Sequence, residues 1–298
     1  MNRLRSTILT ALLLAASALQ APAGPVVSLS SEQAVAGTTL AVEIESQIHL
    51  SDLTLRFGDR TSHLFNPSDA TPNRWLGLVA VPFKSRNGPR ALSVRWKESG
   101  QLRQRLKAFQ VTRGEYRSET LKVDPARVHP SKKDRNRAAR ERQEVLRIYA
   151  GGHPSPLWRS GFQQPMQSAV TSPFGNRRLF NGKLASYHSG MDFRAGVGTP
   201  VKAAGRGIVK LARNLFYAGN TILIDHGAGV FTIYAHLSQF GAAVNQSVKK
   251  GQVIGWSGQS GRVSGPHLHW GVKLNGQNVD PLQFLEMISK LFGQRSSG

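Results

Sequence analysis

The 298-residue sequence contains no cysteine, and only 17 acidic residues stand against 39 lysines and arginines. Without cysteine the chain forms no disulfide, and it has neither thiolate metal ligands nor a thiol nucleophile. The formal net charge of +22 favours an anionic partner, such as nucleic acid, a membrane surface or an acidic polymer. Apolar residues make up 40% and charged residues 19% of the chain, and these globular values argue against wholesale disorder.

The sequence also lacks an apolar run long enough to cross a bilayer, which needs about 20 residues. The apolar run at residues 8–19 follows Arg3 and Arg5 and precedes small residues, which is the layout of a secretory signal peptide. We assign residues 1–23 to that signal peptide and expect no transmembrane segment in the mature protein; an uncleaved anchor or a buried N-terminal helix is the alternative. Export makes a nucleic-acid partner unexpected and favours an acidic polymer of the cell surface.

Residues 25–115 predict a small β domain. Apolar and polar positions alternate at residues 38–45, 53–57 and 91–96, with turn signals between them. Short strands at a spacing of about ten residues are typical of an immunoglobulin-like sandwich. No cluster of histidine and acidic residues points to chemistry in this region.

Residues 116–165 predict a basic linker that contains a helix. Ser131 is a candidate N-cap for a helix that runs to Tyr149. A solvated linker helix is the favoured interpretation, and a surface that holds a polyanion is the alternative. The Gly-rich and Pro-rich residues 151–156 predict a flexible hinge.

Residues 166–292 predict a second, β-rich domain. Strand-like runs lie at residues 207–211, 221–225, 230–235, 253–256 and 267–274. A closing helix is expected at residues 281–292, with Asp280 as its cap. The predicted fold class is therefore mainly β, with an N-terminal immunoglobulin-like sandwich, a basic helical connector and a β-rich C-terminal domain.

Histidine recurs in three short segments of this second domain, which read HSGMD at residues 188–192, YAHL at 234–237 and GPHLH at 265–269. Alternate residues of a strand face the same side. His267 and His269 should therefore point together, while Leu268 faces the apolar side. A glycine between His188 and Asp192 argues against a helix, so we expect Asp192 to begin a strand and His188 to lie on the loop before it.

Carboxylates are scarce here, because the acids between residues 160 and 298 are Asp192, Asp225, Asp280 and Glu286. Of these four, Asp192 is the acid that belongs to one of the three histidine segments described above. We interpret the other three acids as structural. No His-Glu-x-x-His motif occurs, which excludes metalloproteases that use a glutamate base on a helix. A base that activates water should therefore be a histidine.

At these residues the sequence resembles the lysostaphin-type peptidoglycan endopeptidases, also called LytM-like zinc metallopeptidases. The resemblance covers residues 166–283 and is carried by SPFGNRR at 172–178, HSGMDF at 188–193, GTPVKAAGRGIV at 198–209, NTILIDHG at 220–227, YAHL at 234–237, VKKGQVIGWSGQSG at 248–261 and GPHLHWGV at 265–272. It implies that His188, Asp192 and His269 bind one Zn²⁺ ion per chain. It also implies that His236 and His267 are catalytic, with the division of roles between them left open.

The resemblance implies an enzyme that hydrolyses peptide bonds in peptidoglycan. A signal peptide followed by a β domain resembles the Gram-negative periplasmic type of the family, which implies a D,D-endopeptidase in the periplasm, with a monomer favoured. One alternative is a non-catalytic wall-binding activator of another hydrolase, and another is a secreted polyanion-binding protein whose histidines only pack. The N-terminal domain is expected to guide substrate or to cover the cleft.

Overall fold

The structure is a computed structural model, and it describes residues 24–67, 71–121, 130–180 and 183–293. The predicted signal peptide at residues 1–23 lies outside these described residues. Within them, no helix combines the length and the apolar character that crossing a membrane requires.

The N-terminal β region consists of nine strands in two sheets. Its strands are β1 (Val26–Leu29), β2 (Gln33–Val35), β3 (Thr39–Glu45), β4 (Ser51–Phe57), β5 (Arg60–Ser62), β6 (Leu64–Phe65), β7 (Arg74–Ala80), β8 (Gly88–Glu98) and β9 (Gln101–Thr112). One sheet has the order β1-β3-β7-β6 and the other β2-β9-β8-β4-β5. Side chains from both sheets form one buried core, including Val42, Ile44, Leu55 and Val94. The region is β-rich as predicted, and the immunoglobulin-like assignment stays a prediction.

The connector contains a strand that the sequence analysis did not predict. Strand β10 (Ser118–Leu121) runs parallel to β12 (Arg177–Phe180) of the C-terminal region. Helix α1 (Lys132–Ala150) begins directly after Ser131, whose Oγ accepts a hydrogen bond from the backbone N–H of Asp134 at 3.1 Å. The apolar side chains of α1, at Val145, Ile148 and Tyr149, belong to a cluster with Leu211, Leu223 and Phe231.

The predicted flexible hinge at residues 151–156 is wrong, because these residues are fixed against the C-terminal region. The backbone N–H of His153 donates to Asp225 Oδ2 at 2.8 Å, and the carbonyl of His153 accepts from the N–H of Ala228 at 2.9 Å. A methyl group on Gly152 would lie 2.7 Å from the Phe231 ring. Glycine therefore permits a close approach here rather than movement.

Besides β12, the C-terminal region contains β11 (Val170–Ser172), β13 (Lys183–Tyr187), β14 (Met191–Arg194), β15 (Pro200–Lys202), β16 (Gly207–Leu215), β17 (Gly219–Gly227), β18 (Val230–Phe240), β19 (Ser247–Val248), β20 (Val253–Ser257), β21 (His267–Leu274), β22 (Gln277–Val279) and α2 (Pro281–Gly293). The region is built on a ten-stranded sheet with the main order β11-β14-β21-β18-β17-β16-β19, and β15, β20 and β22 pair at its side. Asp280 accepts hydrogen bonds from the first N–H groups of α2, at Leu282 and Gln283. The closing helix and its cap are therefore where the sequence predicts them.

A second buried cluster contains side chains from both β-rich regions. Leu76, Leu78 and Ala80 of β7 belong to the same buried cluster as Phe284 and Ile288 of α2. At this contact the side chain of Gln283 bonds to both backbone groups of Thr39, at 2.8 and 2.9 Å. The N-terminal β region is thus held against the sheet that carries the histidine motifs.

Candidate metal centre

Two neighbouring strands and one loop bring three candidate ligands together. In the antiparallel pair β14 and β21, Asp192 lies directly opposite His269, so both side chains stand on one face of the sheet. Their neighbours Phe193 and Leu268 are fully buried on the other face. His188 lies on the loop between β13 and β14, where its backbone N–H donates to the carbonyl of Asn176 at 2.8 Å.

The ligand atoms of these three residues converge. His188 Nε2 lies 3.0 Å from Asp192 Oδ1, His269 Nδ1 lies 2.8 Å from the same oxygen, and the two ring nitrogens are 2.9 Å apart. Ligands arranged tetrahedrally around Zn²⁺ are about 3.3 Å apart. A small outward shift of the three ligand atoms would therefore make room for the ion. Two imidazoles and one carboxylate are a donor set found in catalytic zinc sites, which keep a fourth position for water.

The protonation states favour metal binding. Burial lowers the pKa of His188 to about 4, so its imidazole is neutral at pH 7. Burial alone raises the pKa of Asp192, but the adjacent imidazoles of His188 and His269 hold that pKa well below its usual range. Neutral imidazole and ionised carboxylate are the forms that bind a metal, so His188 and Asp192 need not lose a proton first.

The tautomer of His188 follows from its neighbours. Its Nδ1 lies 3.0 Å from the carbonyl oxygen of Pro173, and a carbonyl can only accept a hydrogen bond. Nδ1 therefore carries the proton, and Nε2 keeps its lone pair for the metal.

His236 and His267 lie side by side next to this triad. Their ring centroids are 4.8 Å apart, and His267 Nε2 lies 3.8 Å from Asp192 Oδ1. The Nδ1 of His236 donates to the carbonyl of Ser260 at 2.8 Å, and that of His267 donates to the carbonyl of Gly265 at 2.9 Å. In the neutral state each ring therefore presents an unprotonated Nε2, and burial lowers the pKa of His236 to about 3. Each ring can therefore accept a proton at Nε2, although burial opposes protonation of His236.

A β-bulge places His236 in the site. Between the paired residues Asn220↔Leu237 and Ile222↔Tyr234, strand β18 has two residues where β17 has one. Ala235 pairs with His269 and so faces the metal centre, which means that a regular strand would turn His236 to the opposite face. The bulge, with a φ of 62° at His236, turns this ring to the same side as His269.

The five residues predicted from sequence come together around one cleft of about 400 Å³. Four of them line it directly (Asp192, His236, His267 and His269), and His188 lies behind them, bonded to Asp192 and His269. The cleft is also lined by Ser189, Tyr217, Arg178, Arg262, Ser264 and Pro266. Two guanidinium groups therefore stand beside the metal centre, and that of Arg178 is paired with the carboxylates of Glu119 and Asp192.

The sequence analysis missed Glu119, which also lines the cleft. Arg178 donates from Nε to Glu119 Oε1 at 2.8 Å and from Nη2 to Asp192 Oδ2 at 2.5 Å. Glu119 lies well before the segment that carries the histidine motifs, and no motif around it links it to these distant histidines. Among the described residues before Thr171, Glu119 is the one that lines the cleft.

Comparison with known proteins agrees with this geometry. Residues 186–281 match the model of peptidase family M23. The chain is 43% identical over 115 residues to peptidoglycan DD-endopeptidase ShyA of Vibrio cholerae serotype O1, a match that covers 38% of this chain and 27% of that protein. It is 42% identical over 142 residues to the DD-carboxypeptidase/endopeptidase Mpg of Neisseria meningitidis serogroup B, covering 47% of this chain and 30% of that protein. The chain thus spans less than a third of the length of these relatives.

A crystal structure assigned to peptidase M23 from Pseudomonas aeruginosa resembles most of the chain. The TM-score is 0.65 at 26% identity, and the match covers 84% of this chain and 94% of that one. The likeness therefore extends beyond residues 186–281 into the β-rich region that precedes them. The five candidate residues all fall within the segment that matches the family model.

Proposed function

We propose, from the match of residues 186–281 to the model of peptidase family M23, that the chain is a zinc-dependent endopeptidase that hydrolyses peptide cross-links of peptidoglycan. The observation that carries this proposal is the convergence of His188, Asp192 and His269, with two further imidazoles beside them. The relatives named above are DD-endopeptidases or a DD-carboxypeptidase/endopeptidase, so we propose a bond between D-configured residues as the target.

In the proposed mechanism, His188, Asp192 and His269 hold the ion. Bound Zn²⁺ supplies Lewis-acid polarisation of the scissile carbonyl and acidifies a water molecule. His267 is placed to accept the proton of the attacking water, because its Nε2 is unprotonated and lies 3.8 Å from the ligand oxygen of Asp192. His236 is the second proton carrier, and either ring, once protonated, can donate to the leaving amine or to the developing oxyanion.

The charge of the chain fits the proposed substrate. Peptide stems of peptidoglycan carry carboxylates, and a strongly basic protein is attracted to such a polymer in a way that salt weakens. Together with the predicted signal peptide, the relatives from Vibrio cholerae and Neisseria meningitidis support a secreted protein in the periplasm of a Gram-negative bacterium. We propose that it acts as a monomer.

A non-catalytic activator of another wall hydrolase is not favoured. Such a role needs neither a metal nor proton carriers, whereas this chain keeps three converging ligands and both neighbouring imidazoles. A polyanion-binding protein is disfavoured for the same reason, since histidines that only pack have no need to converge on one carboxylate.

The test is digestion of isolated peptidoglycan sacculi by the mature chain, with and without a chelator. We expect release of uncross-linked muropeptides that the chelator abolishes and added Zn²⁺ restores, and the masses of the products identify the bond cleaved. Asp192→Asn and His267→Ala should both stop release. Glu286→Gln is the matched control, because this carboxylate lies on the surface of α2 with Lys290 as its partner. Binding to sacculi without release of fragments contradicts the proposal, as does equal binding to DNA or heparin by a protein that takes up no zinc.

A further inference from the structure

We infer that Glu119 is a positioning residue of the metal centre. Glu119 raises the affinity of the centre for the ion, because it holds His188 through Ser172 and Asp192 through Arg178. This inference rests on the proposed function, since it concerns the metal of the same site. Glu119 belongs to β10, outside residues 186–281 that match the family model. The chain before the M23 domain would thus supply part of the support for the metal.

The first connection runs through a serine hydroxyl. Ser172 Oγ lies 2.9 and 2.8 Å from the two carboxylate oxygens of Glu119, and 2.9 Å from His188 Nδ1. An ionised carboxylate only accepts hydrogen bonds, so the hydroxyl donates its single proton to Glu119. Its lone pairs then accept from the Nδ1–H of His188, which is shared between this hydroxyl and the carbonyl of Pro173 at 3.0 Å. The hydroxyl thereby helps to orient the ring with Nε2 towards Asp192 and His269. A carboxylate behind a metal-binding histidine makes the ring a better ligand.

The second connection runs through a guanidinium. Arg178 binds Glu119 with Nε and Asp192 with Nη2, and its side chain is largely withdrawn from solvent. With Glu119 present, the positive charge of Arg178 is shared between two carboxylates. Without Glu119, that charge would act on Asp192 alone and would draw electron density from the carboxylate that the metal needs. Glu119 therefore leaves Asp192 Oδ1 available as a ligand.

Strand pairing fixes Glu119 at this place. Glu119 lies directly opposite Arg178 in the parallel pair of β10 with β12. Just before β10, Tyr116 donates from its hydroxyl to the carbonyl of Ala36 at 2.7 Å, and its ring packs against Phe83 and Phe174. The N-terminal β region is thereby tied to the segment that delivers Glu119, which is a physical route by which it would influence the metal centre.

The experiment compares the full mature chain with Glu119→Gln, a variant of the same shape that lacks the charge. Glu115→Gln is the control, because it removes the same charge four residues away, where Glu115 is exposed. Zinc affinity is measured by competition with a chromophoric chelator. We expect Glu119→Gln to bind Zn²⁺ about 10–100-fold more weakly, as is typical for residues behind a metal ligand, and Glu115→Gln to match the wild type. In the double variant Glu119→Gln with Ser172→Ala, the loss should be smaller than the product of the two single losses, because both act on His188.

Equal zinc affinity in Glu119→Gln and the wild type overturns the inference, even if the variant is less stable to heat. Faster hydrolysis of sacculi by Glu119→Gln also overturns it, because Glu119 would then be an obstruction in the cleft. A wild type that binds Zn²⁺ but leaves sacculi intact contradicts the proposed function alone, and the affinities still decide the role of Glu119. A wild type that binds no Zn²⁺ contradicts both.

Discussion

Replacing Gly190 by alanine should disable the metal centre although Gly190 is not a ligand. The added methyl group would lie 2.4 Å from the carbonyl oxygen of Trp270 and 2.9 Å from Cε1 and Nε2 of His269. The carbonyl belongs to the backbone of β21, which is paired on one side with β14 and on the other with β18. The carbonyl cannot yield without breaking this pairing, so the segment around Gly190 has to shift away from β21, and the His269 ring is displaced as well.

The magnitude follows from overpacking of a rigid site. Forcing extra methyl groups into a packed interior costs about 1–3 kcal/mol, which for a chain of this size corresponds to a fall in Tm of roughly 2–5 °C. Displacement of the His269 ring should also weaken zinc binding by about 10–100-fold, by analogy with the loss of residues that orient a ligand. Hydrolysis of sacculi should fall with zinc occupancy.

Calorimetry of the metal-free protein gives the first quantity, and zinc competition gives the second. Gly196→Ala is the matched control, because a methyl group there meets no atom within 4 Å, so both its Tm and its zinc affinity should equal those of the wild type. A Gly190→Ala protein with wild-type Tm and wild-type zinc affinity refutes the reasoning, since it would mean that β14 and β21 separate without cost.

Three further predictions concern single side chains. His236→Ala should keep its zinc affinity but hydrolyse sacculi about 10²–10⁴-fold more slowly, as expected for a lost proton carrier; a parallel loss of zinc would instead make His236 a ligand. Burial lowers the pKa of His226 to about 4, while the unfolded chain takes up this proton below pH 6.5, so the free energy of unfolding should decrease as the pH falls from 6.5 to 4. This ring contributes on the order of 3 kcal/mol to that decrease. In urea unfolding of metal-free protein, the free energy of unfolding of His226→Gln should therefore depend less steeply on pH than that of the wild type. An equally steep dependence contradicts the lowered pKa of His226. Ser131→Ala removes the cap of α1 and should lower the free energy of unfolding by about 1 kcal/mol, with Ser118→Ala, at an exposed position of β10, as the comparison.

Local patterns were sufficient for much of the fold. Alternation predicted β21 over its full length and placed His267 and His269 on one face with Leu268 on the other, as the structure has them. Capping chemistry predicted where α1 begins. These features depend on backbone geometry within a few residues, which is the range that a sequence pattern describes.

Other features needed contacts between distant residues. The glycines at 151 and 152 have the composition of a hinge, but Gly152 lies against Phe231, and the next residue, His153, is hydrogen-bonded to Asp225. The connector composition indicates a linker, but β10 pairs with a strand almost sixty residues further along the chain. Backbone groups that find partners across such distances give no periodic signal in their own segment.

By itself, the sequence determined which side chains are candidates for the metal centre, because its motifs resemble those in which the lysostaphin-type peptidases hold two imidazoles and one carboxylate on a metal. The tertiary structure alone decided how that centre is completed. The bulge in β18 turns His236 towards the other imidazoles, and the pairing of β10 with β12 brings Glu119 behind the ligands. Both depend on register between separate strands, which is set by the packing of the whole sheet rather than by the residues next to each position.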